Sequence, residues 1–255
     1  MSTYSSMFLD RAQALLKDIA ESQAEATRQA ATACADSISA GKLVFTFGTG
    51  HGGIPALEAF PRSGSIIGFR AIVELPIALL HHVWGDMGVP QYRFLHRQEG
   101  YGQAILESHR VGVGDTLILF SHSGINAVIL DMALTAREQG LKVIGVTSRP
   151  HSSQVTPRHS SGLHLYEAAD IVIDTGAPLG DACIEIEGLG DPVGAVSTVL
   201  TVAVMHAIIV ETAAVMVERG QQPHVEVNLN LPREGSAREQ NDAGYAELWR
   251  RLSAR

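Results

Sequence analysis

Ser121, His122 and Ser123 stand together, Gly124 follows, and Asn126 lies at the start of a run with helical periodicity over 125–139. Two hydroxyls and free backbone N–H groups at a helix start can hold an anion without a lysine, and phosphate is the obvious guest. Thr147 and Ser148 close a neighbouring apolar run and offer two more hydroxyls. Upstream, residues 47–62 read FGTGHGGIPALEAFPR, with four glycines in six positions and Thr49 and His51 among them. This stretch leads to a carboxylate, Glu58, and four residues later to Arg62. The two meet on one helical face if the turn persists through Pro61; if Pro61 ends the helix, Arg62 is free for a ligand. Glu185 and Glu187 alternate in CIEIEG and share one face if that segment is extended. His206 lies inside a long apolar run, where a histidine is more often a satisfied core residue.

The elements that position these groups follow from periodicity. Two N-terminal helices are predicted over 5–20 and 23–39, the second alanine-rich and stopped by Gly41. Strands are predicted at 43–47, 116–120, 142–147 and 171–175, each an apolar run, with helices at 54–60, 102–110, 125–139 and 163–169. Residues 148–162 read as a polar loop, and 65–98 give no clear pattern. A long helix is predicted over about 192–218, then a Pro-rich linker and a last helix near GYAELWRRL. Apolar strands alternating with helices imply a parallel sheet covered on both faces. Ligands in such sheets bind beyond the carboxyl ends of the strands. There the sequence places GTGHGG, SHSGIN, SRPHSS and GAPLGD. One Ser-x-Ser-Gly loop alone reads as a helix cap; four small, polar strand ends in one sheet read as a ligand site.

Bulk properties exclude several classes. The chain has 255 residues, 45% of them hydrophobic, which suits a full core without staples. A net charge of −8 argues against a general nucleic-acid binder. Two cysteines, Cys34 and Cys183, form no ligand cluster or disulfide framework and point to a reducing compartment, the cytoplasm. The N-terminus reads as an amphipathic helix rather than a signal peptide. Residues 193–210 carry no Asp, Glu, Lys or Arg, but Ser197, Thr198, Thr201 and His206 interrupt them and no basic cluster adjoins either end. That pattern fits a helix buried in the core or a subunit interface better than a membrane span. His81, His82 and His96 lack helix-type metal spacing with an acidic partner, so no metal is expected. No Gly-Lys-Ser/Thr follows the first glycine loop, and no carboxylate closes a second strand as a ribose partner, so a nucleotide loop is disfavoured.

The pairs FGTGH, FSHSGIN and VTSRPHS resemble those of SIS (sugar isomerase) domains, and EGYGQAILE and HSSGLHLYEAADIVIDTGAPLGDACIEIEGL resemble a bacterial branch of stand-alone SIS proteins. The resemblance covers roughly residues 5–230 and treats the whole chain, 1–255, as one domain with N-terminal helices over 1–40 and a tail over 221–255. It implies an α/β three-layer sandwich, a five-stranded parallel sheet flanked by helices, and a homodimer or homotetramer that binds a sugar phosphate without cofactor. Carried over by position, Ser121, Ser123 and Asn126 hold the phosphate, with the backbone of His122 assisting. Thr49 and Gly50 face the sugar, Thr147 and Ser148 lie on the opposite wall, and His51 donates to a sugar hydroxyl. The stretch HHVWGDMGVPQYR departs from the family pattern. Family chemistry begins with removal of a proton next to the C1 carbonyl of an opened sugar 6-phosphate. The expected base is a carboxylate, Glu58 or Glu187, with His206 as a lesser acid–base candidate. The resemblance leans toward elimination from an N-acetylated amino sugar 6-phosphate, of lyase or etherase type. Aldose–ketose isomerisation and non-catalytic sensing are the alternatives.

Overall fold

The computed structural model describes residues 3–59, 62–78, 89–232 and 235–255. Two helices, α1 (Tyr4–Ser22) and α2 (Ala24–Ser39), lead into strand β1 (Val44–Gly48). A 3-10 turn at Gly50–Gly52 then starts α3 (Gly53–Glu58). Next come β2 (Phe69–Ala71), α4 (Leu75–Ala78), α5 (Val89–Leu95), α6 (Tyr101–Ser108) and β3 (Thr116–Phe120). The pattern continues through α7 (Ala127–Glu138), β4 (Lys142–Thr147), α8 (Arg149–Ser152), α9 (Leu165–Ala168) and β5 (Ile171–Asp174). A hairpin of β6 (Ala182–Ile184) and β7 (Val193–Ala195) precedes the long helix α10 (Ser197–Glu218), and α11 (Ala237–Ser253) ends the chain.

The main sheet has five strands in the order β2-β1-β3-β4-β5, all parallel, as expected. Successive strand residues point to opposite faces, and both faces are buried. Phe45, Phe47, Leu117 and Leu119 join Leu106, Ile129 and Leu248 on one side. Val44, Ile118, Phe120, Ile144 and Val146 join Ala31, Met205 and Ile208 on the other. Fully buried alanines at 30, 31 and 35 leave α2 a smooth face, and α10 packs along it. α10 is long and apolar enough to cross a membrane, and half of that stretch is buried inside the fold.

Four boundaries differ from expectation. The segment 192–196 is not helical: Gly194, at φ +81°, turns it into the hairpin, where a Cβ would sit 2.9 Å from the Phe8 ring. The polar segment 148–162 contains α8, capped by Ser148 Oγ accepting from His151 N at 3.2 Å. The region 65–98 supplies the edge strand β2 and the helices α4 and α5, while α6 matches the helix expected over 102–110. The last helix starts seven residues before Gly244, at Ala237, because Ser236 caps it by accepting from Glu239 N.

The base of the sheet, opposite the loops of interest, is closed by an ion pair. Asp115 is 2% exposed and accepts from Leu43 N at 3.0 Å and Gly112 N at 2.9 Å. Both its oxygens also accept from the Arg255 guanidinium, at 2.6 Å each.

Candidate functional site

The carboxyl ends of β1 and β3 lie side by side, Gly48 opposite Phe120. The chain leaves β1 through a turn that only glycine fits. A Cβ at Gly52 would lie 2.7 Å from the Phe120 carbonyl oxygen, and one at Gly50, at φ +57°, would press on the Tyr92 hydroxyl at 3.1 Å. Past Phe120, Ser121 N donates to Val146 O at 3.0 Å and Ser121 Oγ accepts from Gly124 N at 3.1 Å. This folds 121–126 into a compact loop that delivers Asn126 as the first cap of α7. Between the two strand ends lies a cleft of about 200 Å³.

Its walls come from three directions. Ser121, His122, Ser123 and Asn126 form one, and Thr49, His51, Gly52 and Tyr92 a second. Asp181 with Ser197, Thr198 and Thr201 of α10 forms the third. The first wall and most of the second are the residues expected from the sequence. Tyr92, in the region without clear pattern, and Asp181, the last residue of GAPLGD, are additions from the structure. Ser197, Thr198 and Thr201 were visible as polar breaks in an apolar run, and a spacing of three and four puts Ser197 and Thr198 over Thr201 on one helical face.

Two helix starts converge on this cleft, and they differ. Asp181, at φ +72°, sends its carboxylate to the start of α10. It accepts from Val196 N at 2.9 Å, Ser197 N at 2.7 Å and Ser197 Oγ at 2.7 Å. The start of α7 has no such cap, since the Asn126 side chain makes no capping hydrogen bond. Its Oδ1 instead accepts from Arg158 Nη1 at 3.0 Å.

His122 packs against His151 with ring centroids 4.3 Å apart and planes tilted by 42°, and both His122 ring nitrogens are buried without a hydrogen-bond partner among the described residues. Burial lowers its pKa to about 4, the nearby His151 works the same way and Asp181 opposes, so the imidazole is neutral. His151 is lowered too, mainly by burial, and its Nδ1 accepts from Gly180 N at 3.0 Å. Thr147 and Ser148 are fully buried and do not line the cleft. Thr147 Oγ1 donates to His122 O at 3.2 Å and Ser148 Oγ donates to Ala177 O at 2.6 Å, so these hydroxyls shape the loops from behind.

The expected acid–base residues are placed elsewhere. Glu58 ends α3 between Arg62, which donates to its Oε2, and His206, whose Nε2 is 3.2 Å from the same oxygen. Glu58 and Arg62 thus meet although α3 ends at Glu58; Pro61 lies outside the described residues. Partial burial would raise the Glu58 pKa, but the bonds to Arg62 and then His206 outweigh it and hold it below the usual range. None of the three lines the cleft; His206 borders a separate apolar groove of about 550 Å³ with Leu16, Ile19, Val204 and Val210. Glu187 is exposed in a turn beyond β6, by a depression that also holds Tyr4, Glu185 and Asp191. β6 ends at Ile184, so Glu185 and Glu187 do not share a strand face. Among the described residues no cluster of three or more His, Cys, Asp or Glu could hold a metal; His81 and His82 lie outside them.

A family model described as SIS domain matches residues 7–148, more than half of the chain. The chain belongs to the SIS domain family. Among SIS relatives, a UPF0309 protein of Oceanobacillus iheyensis is 37% identical over 218 residues, 86% of this chain and 87% of its own. A UPF0309 protein of Streptomyces coelicolor is 35% identical over 216 residues, 85% of this chain and 84% of its own. Solved structures share the SIS fold at low identity. Phosphoheptose isomerase from Neisseria gonorrhoeae superposes with a TM-score of 0.56 at 15% identity, over 82% of this chain and 97% of that one. The Vibrio vulnificus NanR protein complexed with ManNAc-6P superposes with a TM-score of 0.52 at 14% identity, over 86% of this chain and 66% of that one.

Proposed function

We propose that the protein binds a sugar phosphate in the cleft between β1 and β3, with the phosphoryl group at the 121–126 loop and the start of α7. One observation carries this reading. Of the two helix starts at the cleft, that of α10 already holds a carboxylate, Asp181, while that of α7 is open to an anion. Asp181 also repels a phosphate from its own side, which fixes the ligand's direction. The sugar then lies toward Thr49, Gly50, His51 and Tyr92, with Asp181 and Thr198 accepting from its hydroxyls. The isomerase and the ManNAc-6P complex among the structural neighbours agree with such a ligand.

For the reaction, Glu58 removes the proton next to the C1 carbonyl of an N-acetylated amino sugar 6-phosphate, and His206 passes protons to and from it. Their 3.2 Å contact supports this pairing. Loss of the C3 substituent then gives elimination; on a sugar phosphate with a C2 hydroxyl instead, return of the proton to C1 gives the ketose, and an isomerase is the reading the structural neighbours favour. Because the pair lies outside the cleft lining of one chain, the reading includes a homodimer or homotetramer, for which the apolar groove beside His206 is a suitable surface. It also places the protein in the cytoplasm, where such substrates and two free cysteines belong. A second reading, sensing without catalysis, is favoured because Asp181, the single carboxylate of the cleft lining among the described residues, is engaged in capping α10.

The test is incubation in deuterated water with N-acetylglucosamine 6-phosphate, glucosamine 6-phosphate and N-acetylmuramic acid 6-phosphate. Deuterium at C2, or an unsaturated sugar, supports the enzyme and tells its class. Binding with neither outcome leaves the sensor, and no binding of any of the three refutes the site.

A further inference from the structure

The segment that follows α8 wraps the proposed phosphate loop from outside. Arg158 N donates to Ile125 O at 2.9 Å and Leu165 N donates to Gly124 O at 2.8 Å, so two backbone bonds clasp the loop at adjacent residues. The clasp is itself tied down. Ser160 donates to both Glu99 oxygens, from N at 2.7 Å and from Oγ at 2.6 Å. His159 Nε2 meets Asp131 Oδ1 of α7 at 3.1 Å. These contacts fix where the Arg158 side chain begins, and its Nη1 reaches Asn126 Oδ1 at 3.0 Å.

A guanidinium has only donors, so the Asn126 atom facing it must be the carbonyl oxygen. The amide nitrogen, with its two donors, is then on the other side, and Asn126 lines the cleft. Without Arg158 the two amide orientations would be close in energy, and one of them would turn a lone pair toward an anion. Arg158 is also a charge without an ordinary partner. Burial and then the neighbouring Arg97 lower the Arg158 pKa, and its Nη1 rests on the neutral Asn126 amide rather than on a carboxylate. Uncompensated like charges are unfavourable until an anion arrives.

Building on the sugar-phosphate reading, we infer that Arg158 is a positioning residue: it locks the Asn126 amide so that its N–H groups donate to the bound phosphoryl group, in a cleft whose lining, among the described residues, has no lysine or arginine. Phosphate is thereby recognised by neutral donors, with the cation one layer back. Donors without a formal charge hold the phosphoryl group loosely enough for the sugar to leave after each turnover or signal.

The experiment is a double-mutant cycle in the full chain, read by calorimetric binding of inorganic phosphate and N-acetylglucosamine 6-phosphate. Arg158→Met should weaken both by about tenfold, in line with loss of one charge-supported hydrogen bond. In an Asn126→Ala background the same change should cost no more than about twofold, because the residue acts through the amide. The Asn126 side-chain N–H resonances should shift in free Arg158→Met protein, a change that general loosening would not confine to that amide, and Arg158→Lys should recover part of the affinity. Wild-type affinity in Arg158→Met, or losses that simply multiply in the double variant, would overturn the inference and leave the cleft assignment standing. A wild-type protein that binds neither probe overturns both.

Discussion

Replacing Asp181 tests the organisation of the cleft through stability. Its carboxylate accepts from Val196 N, Ser197 N and Ser197 Oγ, and its backbone is left-handed at φ +72°. Asp181→Asn keeps the shape and tolerates that backbone, and loses chiefly the charge against the start of α10, worth about 0.5–2 kcal/mol. Asp181→Ala removes all three bonds and orphans two N–H groups, about 2–4 kcal/mol, and adds about 1 kcal/mol of left-handed strain. Asp181→Gly loses the same bonds without that strain. The expected order is therefore wild type, Asn, Gly, Ala. At about 2–4 °C per kcal/mol for a chain of this size, Ala melts roughly 6–20 °C below wild type. Urea titrations followed by circular dichroism, with equal slopes, give the differences directly. An Ala variant within about 0.5 kcal/mol of wild type, or one more stable than Gly, would show that the carboxylate does not hold α10 and that the two helix starts are not distinct.

Three further outcomes are expected. Ser121→Ala with Ser123→Ala should weaken sugar-phosphate binding about tenfold or more by calorimetry with the fold intact; unchanged affinity would place the phosphate elsewhere. Glu58→Gln should abolish deuterium entry at C2 while sparing binding, and retained exchange would move the base to Glu187. Because Arg62 and His206 hold Glu58 below the usual range, exchange in the wild type should not lose its base until the pH falls below that range. His96 and His122 are lowered by burial to about 4 from 6.5, so the unfolded chain binds more protons between those values and stability falls as pH drops from about 6.5 toward 4. Urea midpoints should decline across that window, and His96→Gln should flatten the decline; an unaltered slope would remove His96 from the account.

What could be read from the sequence was local. Residues 43–47, 116–120, 142–147 and 171–175 announce strands because both of their faces are apolar, and the glycine and serine loops announce a site because they follow strand ends. What escaped depends on distant contacts. β2 is three residues long and owes its place to pairing with β1 and to Gly68, where a Cβ would strike Ile38 at 2.6 Å. The start of α10 is set by Asp181, 16 residues before Ser197, and by Gly194 turning a hairpin, neither of which shows as helical periodicity. Thr147 and Ser148 have the chemistry of ligand hydroxyls, but their position one layer below the cleft follows from the loops they support. Glu58 and His206 meet across 148 residues, a pairing no spacing rule reveals.

The ion pair at the foot of the sheet gives this chain an order of events. Asp115 lies between the entries to β1 and β3, and its counter-ion, Arg255, is made 140 residues later. At synthesis rates of about 5–20 residues per second, the carboxylate waits many seconds with the sheet partly assembled around it and no guanidinium to receive it. Until α11 docks, closing the base means stranding a charge, and breaking a buried pair costs about 3–5 kcal/mol. A nascent or truncated chain therefore keeps this end open and wet. Arg255 thus ties closure of the sheet's base to α11: the foot of β1 and β3 seals only once that helix has docked and brought the guanidinium to Asp115.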